Sequence, residues 1–270
     1  MEYILLPTSI VFEDTDNPNI GRVIITPCQQ GYGTTLGNAL RRVLLSSLPG
    51  AAVESVKIKG VQHEFSAIEG VQEDVVEFIL NLKELAVTSF VDTPVTLKLS
   101  KKGKGDVTAA DFEKNSDVEI QNPQLKLMSI TKSDHEVELE VTIGKGRGYV
   151  PVSEKETQNL DLGTVMVDSL YTPIRDIGYT IEMTRVGDVT DYEKLTLTIE
   201  TNGTVTPKDA VCQSTKILMD HFALLLEAAQ GGNQYEGSMV EEMPVAEVEE
   251  TQEAEEPEEA PVKKSKKSKK

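Results

Sequence analysis

The run Gly-Tyr-Gly-Thr-Thr-Leu-Gly-Asn-Ala-Leu-Arg-Arg-Val-Leu-Leu-Ser-Ser-Leu-Pro-Gly, from Gly31 to Gly50, constrains the fold more than any other stretch of the chain. Leu36, Leu40, Val43 and Leu44, continued by the small Ser47, follow the spacing of one apolar helical stripe. At about 100° per residue, Asn38, Arg42 and Leu45 fall together on the opposite side. A helix serving only a local core has no use for an ordered second face carrying arginine and an outward leucine. That face points to a partner. Gly31 and Gly33 permit a tight entry turn, and Thr34 or Thr35 can cap the first free N–H groups. Pro49-Gly50 ends the helix, because proline cannot continue its hydrogen-bond ladder.

A Gly-x-Gly turn that opens a helix after the apolar strand 23–25 also resembles a dinucleotide-binding fingerprint. The third glycine comes one position late, at Gly37 after Gly31 and Gly33. The next strand-like run, Ser55-Val56-Lys57-Ile58-Lys59, ends in lysine where an acidic ribose ligand would stand. The glycines are more simply turn glycines. A nucleotide-dependent oxidoreductase is therefore the second choice behind a protein-binding scaffold, and titration with nicotinamide nucleotides separates the two.

The remaining pattern is α+β. Residues 20–26 and 51–58 read as strands flanking the first helix, and 73–84 as a second helix with Val75, Val76, Ile79, Leu80 and Leu82 on its apolar side. Strands follow at 95–99, 118–120 and 137–143, the last with the strict alternation that leaves one face wet. Residues 179–186 and 194–201 form a further strand pair. Pro207 opens a long helix to Ala229, stopped by Gly231-Gly232. Its apolar positions Val211, Leu218, Phe222 and Leu225, with Ile217, Leu224 and Ala228 alongside, make a stripe wider than one neighbour needs. Half of it packs on its own sheet, and the rest suits a two-fold interface.

Charge and composition exclude several classes. The formal net charge is −18, and 1–237 holds 21 Lys and Arg against 35 Asp and Glu, unlike a chain whose main task is neutralising phosphates. No apolar run is long enough to span a membrane, and the N-terminus lacks a basic signal-peptide region. Cys28 and Cys212 sit among apolar or small neighbours and read as reduced, partly buried thiols. Three scattered histidines and two cysteines offer no metal-ligand cluster, and His63-Glu64 lacks the second histidine of a zinc-protease helix. Gly144-Lys145-Gly146-Arg147-Gly148-Tyr149 carries too little charge for a nucleic-acid segment, and a hairpin-type connection accounts for its glycines. Asn202-Gly203 reads as a two-residue hairpin turn. No nucleophile–base pair and no aspartate cluster for magnesium stands out.

The Gly31–Gly50 run resembles the helix that marks the bacterial RNA polymerase alpha subunit family. Further similar segments follow in order: 60–66 (Gly-Val-Gln-His-Glu-Phe-Ser), 69–74, 81–83, 146–151 (Gly-Arg-Gly-Tyr-Val-Pro) and 195–204. The resemblance runs from about residue 3 to about residue 230. It implies a two-domain architecture: a discontinuous helix-plus-sheet dimerisation domain, 1–49 and 174–233, and an inserted mostly β domain, 50–173. It implies a homodimer that scaffolds assembly of a nucleotidyltransferase without catalytic residues, cofactor or metal of its own. The beta subunit is then met by Asn38, Arg42 and Leu45, with His63, Glu64 and Phe65 nearby. Beta-prime is met by Arg175 and Arg185, and omega joins the same complex. The dimer interface draws on Leu36, Leu40, Leu44, Leu218, Phe222 and Leu225. The setting implied is the bacterial cytoplasm, nucleoid-associated through the polymerase, with little direct DNA binding by the folded part. Residues 234–270, Glu-rich and then Lys-rich, cannot bury a core and read as a disordered tail in place of the family's usual C-terminal DNA-binding domain.

Overall fold

A computed structural model describes residues 4–133, 135–155, 161–187 and 189–230. Strands β1 (Ser9–Asp14) and β2 (Ile20–Cys28) precede helix α1 (Tyr32–Ser46) and β3 (Pro49–Ile58). Helix α2 (Val75–Lys83) leads into β4 (Val87–Ser89), β5 (Val95–Lys102), β6 (Gly105–Thr108), β7 (Val118–Ile120), β8 (Lys126–Ile130) and β9 (Glu136–Arg147). Short strands β10 (Tyr149–Val150), β11 (Thr164–Met166) and β12 (Ser169–Leu170) follow. The long strands β13 (Ile174–Val186) and β14 (Val189–Thr201) come next, then α3 (Pro207–Ala229). Residues up to Leu225 form one compact unit, and the described residues beyond it continue α3.

The elements build an α+β fold on two large antiparallel sheets, with two-stranded ribbons β6-β8 and β10-β12 beside them, around two separate cores. The first sheet runs β1-β2-β14-β13. Leu195 and Leu197 of β14 pair with Ile25 and Val23 of β2, so their side chains share one face. Onto that face α1 lays Leu40, Leu44 and Leu48, and α3 lays Ala210 and Val211. The second sheet runs β5-β9-β3-β4-β7, with β11 added to β3. Its β9 buries Val137, Leu139, Val141 and Ile143 on alternate positions. The intervening glutamates stay wet and pair across the sheet, Lys59 with Glu138 at 2.8 Å and Lys98 with Glu140 at 3.0 Å. Such exposed pairs contribute little; the buried row holds the sheet.

Helix α2 corrects one expectation. Its buried positions are Val75, Phe78, Ile79 and Leu82, while Val76 and Leu80 are exposed. Phe78, fully buried, anchors the helix and turns the two residues beside it outward. The Asp74 carboxylate caps the helix by accepting from the Glu77 N–H at 2.7 Å.

Two turn assignments are also corrected. Asn202-Gly203 does not close a hairpin but joins β14 to α3, where Asn202 Oδ1 accepts from the N–H of Thr204 at 3.0 Å. Thr206 accepts from the Asp209 N–H at 3.2 Å and so caps α3, with Pro207 in the first turn. Gly144 and Gly146 lie inside β9, paired with Ala52 and Gly50 of β3. Their reason is space. A Cβ on Gly146 would sit 2.7 Å from the Tyr171 ring, and one on Gly144 would run into the Glu54 carboxylate.

Those glycines make room for a polar cluster between strands. The Tyr171 hydroxyl donates to Glu54 at 2.7 Å, Ser169 donates to the Val53 carbonyl at 2.6 Å, and Lys155 donates to Ser169 at 2.6 Å. Lys155 also donates to the carbonyls of Glu54 and Val167. Burial, then the hydrogen bond to Glu54, push the Tyr171 phenol up to about 12. The folded chain thus holds this proton more tightly than the unfolded chain, whose phenol titrates near 10. The stabilisation is complete below pH 10 and is lost as pH rises toward about 12. Tyr171→Phe is expected to flatten the alkaline fall in melting temperature across that window. An unchanged alkaline slope would show that this phenol is not the group responsible.

Candidate functional site

Helix α1 starts from the glycine turn, and a distant carboxylate fixes where it starts. Glu193 of β14, itself buried, accepts from the N–H groups of Gly31 and Gly33, both at 2.9 Å. Those are two of the four N–H groups that a helix N-terminus leaves without a backbone partner, and the negative charge lies at the positive end of the helix dipole. The anion cradle that the Gly-x-Gly spacing advertises is therefore filled by the protein's own side chain. Threonine capping is not used: Thr35 Oγ1 donates back to the Gly31 carbonyl at 3.1 Å, and the helix has no side-chain cap of its own. Gly31, at φ 87°, takes a left-handed turn that glycine adopts freely.

The same glycines set the height of α1 above the sheet. A Cβ on Gly33 would lie 2.7 Å from Glu193, and one on Gly37 would lie 2.9 Å from the Tyr179 ring of β13. One turn apart, the two let the helix backbone approach the β13–β14 strands closely. Cys28, at the end of β2, is buried beside this clamp, and burial followed by the charge of Glu193 raises its thiol pKa. Cys212 is exposed rather than partly buried.

The opposite face of α1 is open. Asn38, Arg42 and Leu45 are all exposed, and neither the Arg41 nor the Arg42 guanidinium has a partner among the described residues. Asn38 Oδ1 accepts from the Tyr179 hydroxyl at 3.0 Å, which ties the start of this face to the sheet. His63, Glu64 and Phe65 lie in the segment that follows β3 and are exposed. Phe65 is exposed there, and His63 Nδ1 shares a hydrogen bond with Ser66 at 3.1 Å. Arg175 and Arg185 are exposed at the two ends of β13, the outer strand of the first sheet. Arg185 Nε donates to the Gly187 carbonyl at 2.6 Å in the β13–β14 turn.

The apolar residues divide sharply. Leu40 and Leu44 are 7% and 0% exposed in the protomer's own core, and Leu36 packs half-buried on that core. Leu40 and Leu44 cannot offer surface to a second copy, which corrects their assignment to a dimer interface, because the four-stranded sheet has already covered them; Leu36 keeps part of its surface open. Leu218 is half-buried, whereas Met219, Phe222, Leu224 and Leu225 are 65%, 60%, 47% and 66% exposed. This half of α3 is therefore bare and apolar. Glu193 and Tyr179 escaped sequence reading because they stand more than 140 residues from the helix they hold. No local spacing could have linked them. Met219 carried a readable signal, lying beside the Leu218–Phe222 stripe.

Among the described residues no His, Cys, Asp or Glu group is arranged to hold a metal ion, and no helix is long and apolar enough to cross a membrane. Residues 56–172 match the family model described as the RNA polymerase Rpb3/RpoA insert domain. The chain is 46% identical over 236 residues to the DNA-directed RNA polymerase subunit alpha of Symbiobacterium thermophilum, covering 87% of this chain and 74% of that protein. It is 46% identical to the subunit of the same name from Clostridium kluyveri, over 85% of this chain and 72% of the other. Against that of Staphylococcus saprophyticus it is 44% identical, over 82% and 70%.

Proposed function

Because the chain belongs to the bacterial DNA-directed RNA polymerase alpha-subunit family, we propose that it is the assembly scaffold of that enzyme: it pairs with a second copy, recruits the beta and beta-prime subunits, and supplies no catalytic residue itself. The observation that carries the reading is the combination of a bare apolar half of α3 with an open arginine-bearing face on α1, in two helices that share one core. In this reading residues 1–49 and 174–233 form the dimerisation domain and 50–173 the inserted domain. Two cores with no side chain in common support the division, one drawing on 23–48 and 174–211 and the other on 53–167. The scaffold works in the cytoplasm, at the nucleoid, with omega in the same complex. Its acidic charge suits a part held away from the template.

The α1 face, Asn38, Arg42 and Leu45, takes the beta subunit, and β13 with Arg175 and Arg185 takes beta-prime. Arg42 suits its role because a planar guanidinium makes several directed hydrogen bonds, and arginine is among the residues that dominate interface energies. Arg42→Ala is expected to leave the homodimer intact and abolish co-purification with beta. Normal assembly of that variant would refute the role. Co-expression with beta and beta-prime, followed by sizing of the complex, tests the scaffold reading as a whole.

A further inference from the structure

Asn202 is the only asparagine in the chain that is followed by glycine. Glycine carries no Cβ, so its amide nitrogen can close on the side chain of the residue before it. Closing the Gly203 nitrogen on Asn202 Cγ makes a five-membered ring. The sequence thus contains a place where a backbone amide can attack its neighbour's carboxamide, and the fold determines how that carboxamide is held.

Thr204 aims both of its donors at the same oxygen. Its N–H donates to Asn202 Oδ1 at 3.0 Å and its hydroxyl at 2.6 Å. An N–H cannot accept, so the first contact fixes which end of the carboxamide is the oxygen, and the hydroxyl must donate to it as well. To reach these donors the Asn202 side chain folds forward across the Gly203 peptide, which carries Cγ toward the attacking nitrogen. The turn is firmly seated. The Asn202 N–H donates to the Pro173 carbonyl at 2.9 Å, and the Thr201 N–H to the Asn19 carbonyl at 2.8 Å. Gly203 donates its own N–H to the Thr201 hydroxyl at 3.4 Å and holds φ 94°, in the left-handed region. Fixed donors on a carbonyl oxygen beside a nucleophile are the arrangement that stabilises an oxyanion.

We propose that the fold makes Asn202 a self-modifying residue. The Gly203 nitrogen attacks Asn202 Cγ, and charge gathers on Oδ1, where the Thr204 donors meet it. The Cγ–Nδ2 bond then breaks. The departing amino group leaves as ammonia, taking through solvent the proton that the Gly203 nitrogen gives up, and a cyclic imide remains. Water opens the imide at Cγ to give aspartate, or at the main-chain carbonyl to give isoaspartate. Nothing is oxidised or reduced. Holding a side chain slows this reaction when it denies the ring-closing geometry; here the held geometry is the reactive one. Removing a single oxyanion donor from an enzyme costs about 10²–10³ in rate, which sets the scale for the Thr204 hydroxyl. Either product replaces a neutral amide by a carboxylate, and isoaspartate lengthens the main chain by a methylene. The position matters because residues 202–206 are the whole connection between β14 and α3. Age therefore rewrites the seat of α3, whatever partner that helix meets.

The full-length chain is incubated folded and in urea at one pH and temperature, then digested with trypsin. Peptide 195–208 contains no other asparagine or glutamine, so any exchange of amide for acid seen by mass spectrometry belongs to Asn202. Labelling with an isoaspartyl methyltransferase separates the two products. The folded chain is expected to convert roughly tenfold faster than the unfolded one. Thr204→Val, which keeps the N–H and the branched shape but loses the hydroxyl, should convert roughly tenfold more slowly than wild type. Thr204→Ser keeps both donors and should keep the rate, and melting curves establish that each variant is folded. A folded chain that converts no faster than the unfolded chain overturns the proposal. So does Thr204→Val converting at the wild-type rate or above, since the hydroxyl would then act as a restraint. Thr204→Ser as slow as Thr204→Val overturns it too, because shape rather than donation would set the rate.

Discussion

The double substitution Phe222→Glu with Leu225→Glu is expected to convert a dimer into a monomer while leaving each protomer folded. Phe222 and Leu225 are 60% and 66% exposed, so the protomer core does not depend on them. Fully burying a leucine or phenylalanine is worth about 1.5–3 kcal/mol. With Met219 and Leu224, each copy therefore brings on the order of 5 kcal/mol of gross apolar burial, doubled by two-fold symmetry. Association costs roughly 4–15 kcal/mol in lost freedom, so the margin is moderate and two buried carboxylates exceed it. Dimer affinity should fall at least about a hundredfold, visible by analytical ultracentrifugation, with the melting curve of the protomer retained. A variant that still sediments as a dimer would remove α3 from the interface. The contrast is Leu44→Ala, which empties a fully buried position. It should cost about 2–5 kcal/mol of folding stability rather than dimer affinity.

Glu193→Ala is expected to lower stability by about 3 kcal/mol or more, because one side chain supplies both hydrogen bonds at the start of α1. Removing it leaves the Gly33 N–H buried and unsatisfied. For a domain of this size that is a fall of roughly 5–10 °C in melting temperature, measurable by calorimetry. Recruitment of beta should fall with it, since Arg42 rides on a helix that has lost its seat. Gly33→Ala reports the same contact from the other side: its Cβ would lie 2.7 Å from the carboxylate. The two changes share one contact, so their costs should be strongly non-additive, with Gly33→Ala better tolerated once Glu193 is gone. Additive costs, or a wild-type melting temperature for Glu193→Ala, would show that the glycine turn seats α1 without the carboxylate.

Much of the fold was legible in advance because its signals are local. The spacing of Leu36, Leu40 and Leu44 marks α1, the alternation in Val137–Ile143 marks β9, and Pro207 marks the start of α3, which begins there. Misreadings arose where a local pattern had two structural answers. A glycine reads as a turn by default, yet Gly144 and Gly146 are glycine because Glu54 and Tyr171 occupy the space of a side chain. An apolar helix face reads as interface or core alike, and Leu40 and Leu44 proved to be core because β2 and β14 lie across them. Val76 and Leu80 read as core for the same reason, but Phe78 takes the buried position beside them.

The candidate surface divides the same way. Which side of α1 faces outward is a matter of angular period, so Asn38, Arg42 and Leu45 could be grouped from their numbers alone. What adjoins them could not. Tyr179 and Gly148 reach α1 across more than 100 residues of chain. The Gly-x-Gly turn is the sharpest case. Residue spacing marks a tight turn, a helix start and a likeness to an anion cradle, all properties of neighbouring atoms along the backbone. Whether that cradle holds a ligand or a side chain depended on where β14 delivers Glu193, and long-range sheet pairing alone sets that position.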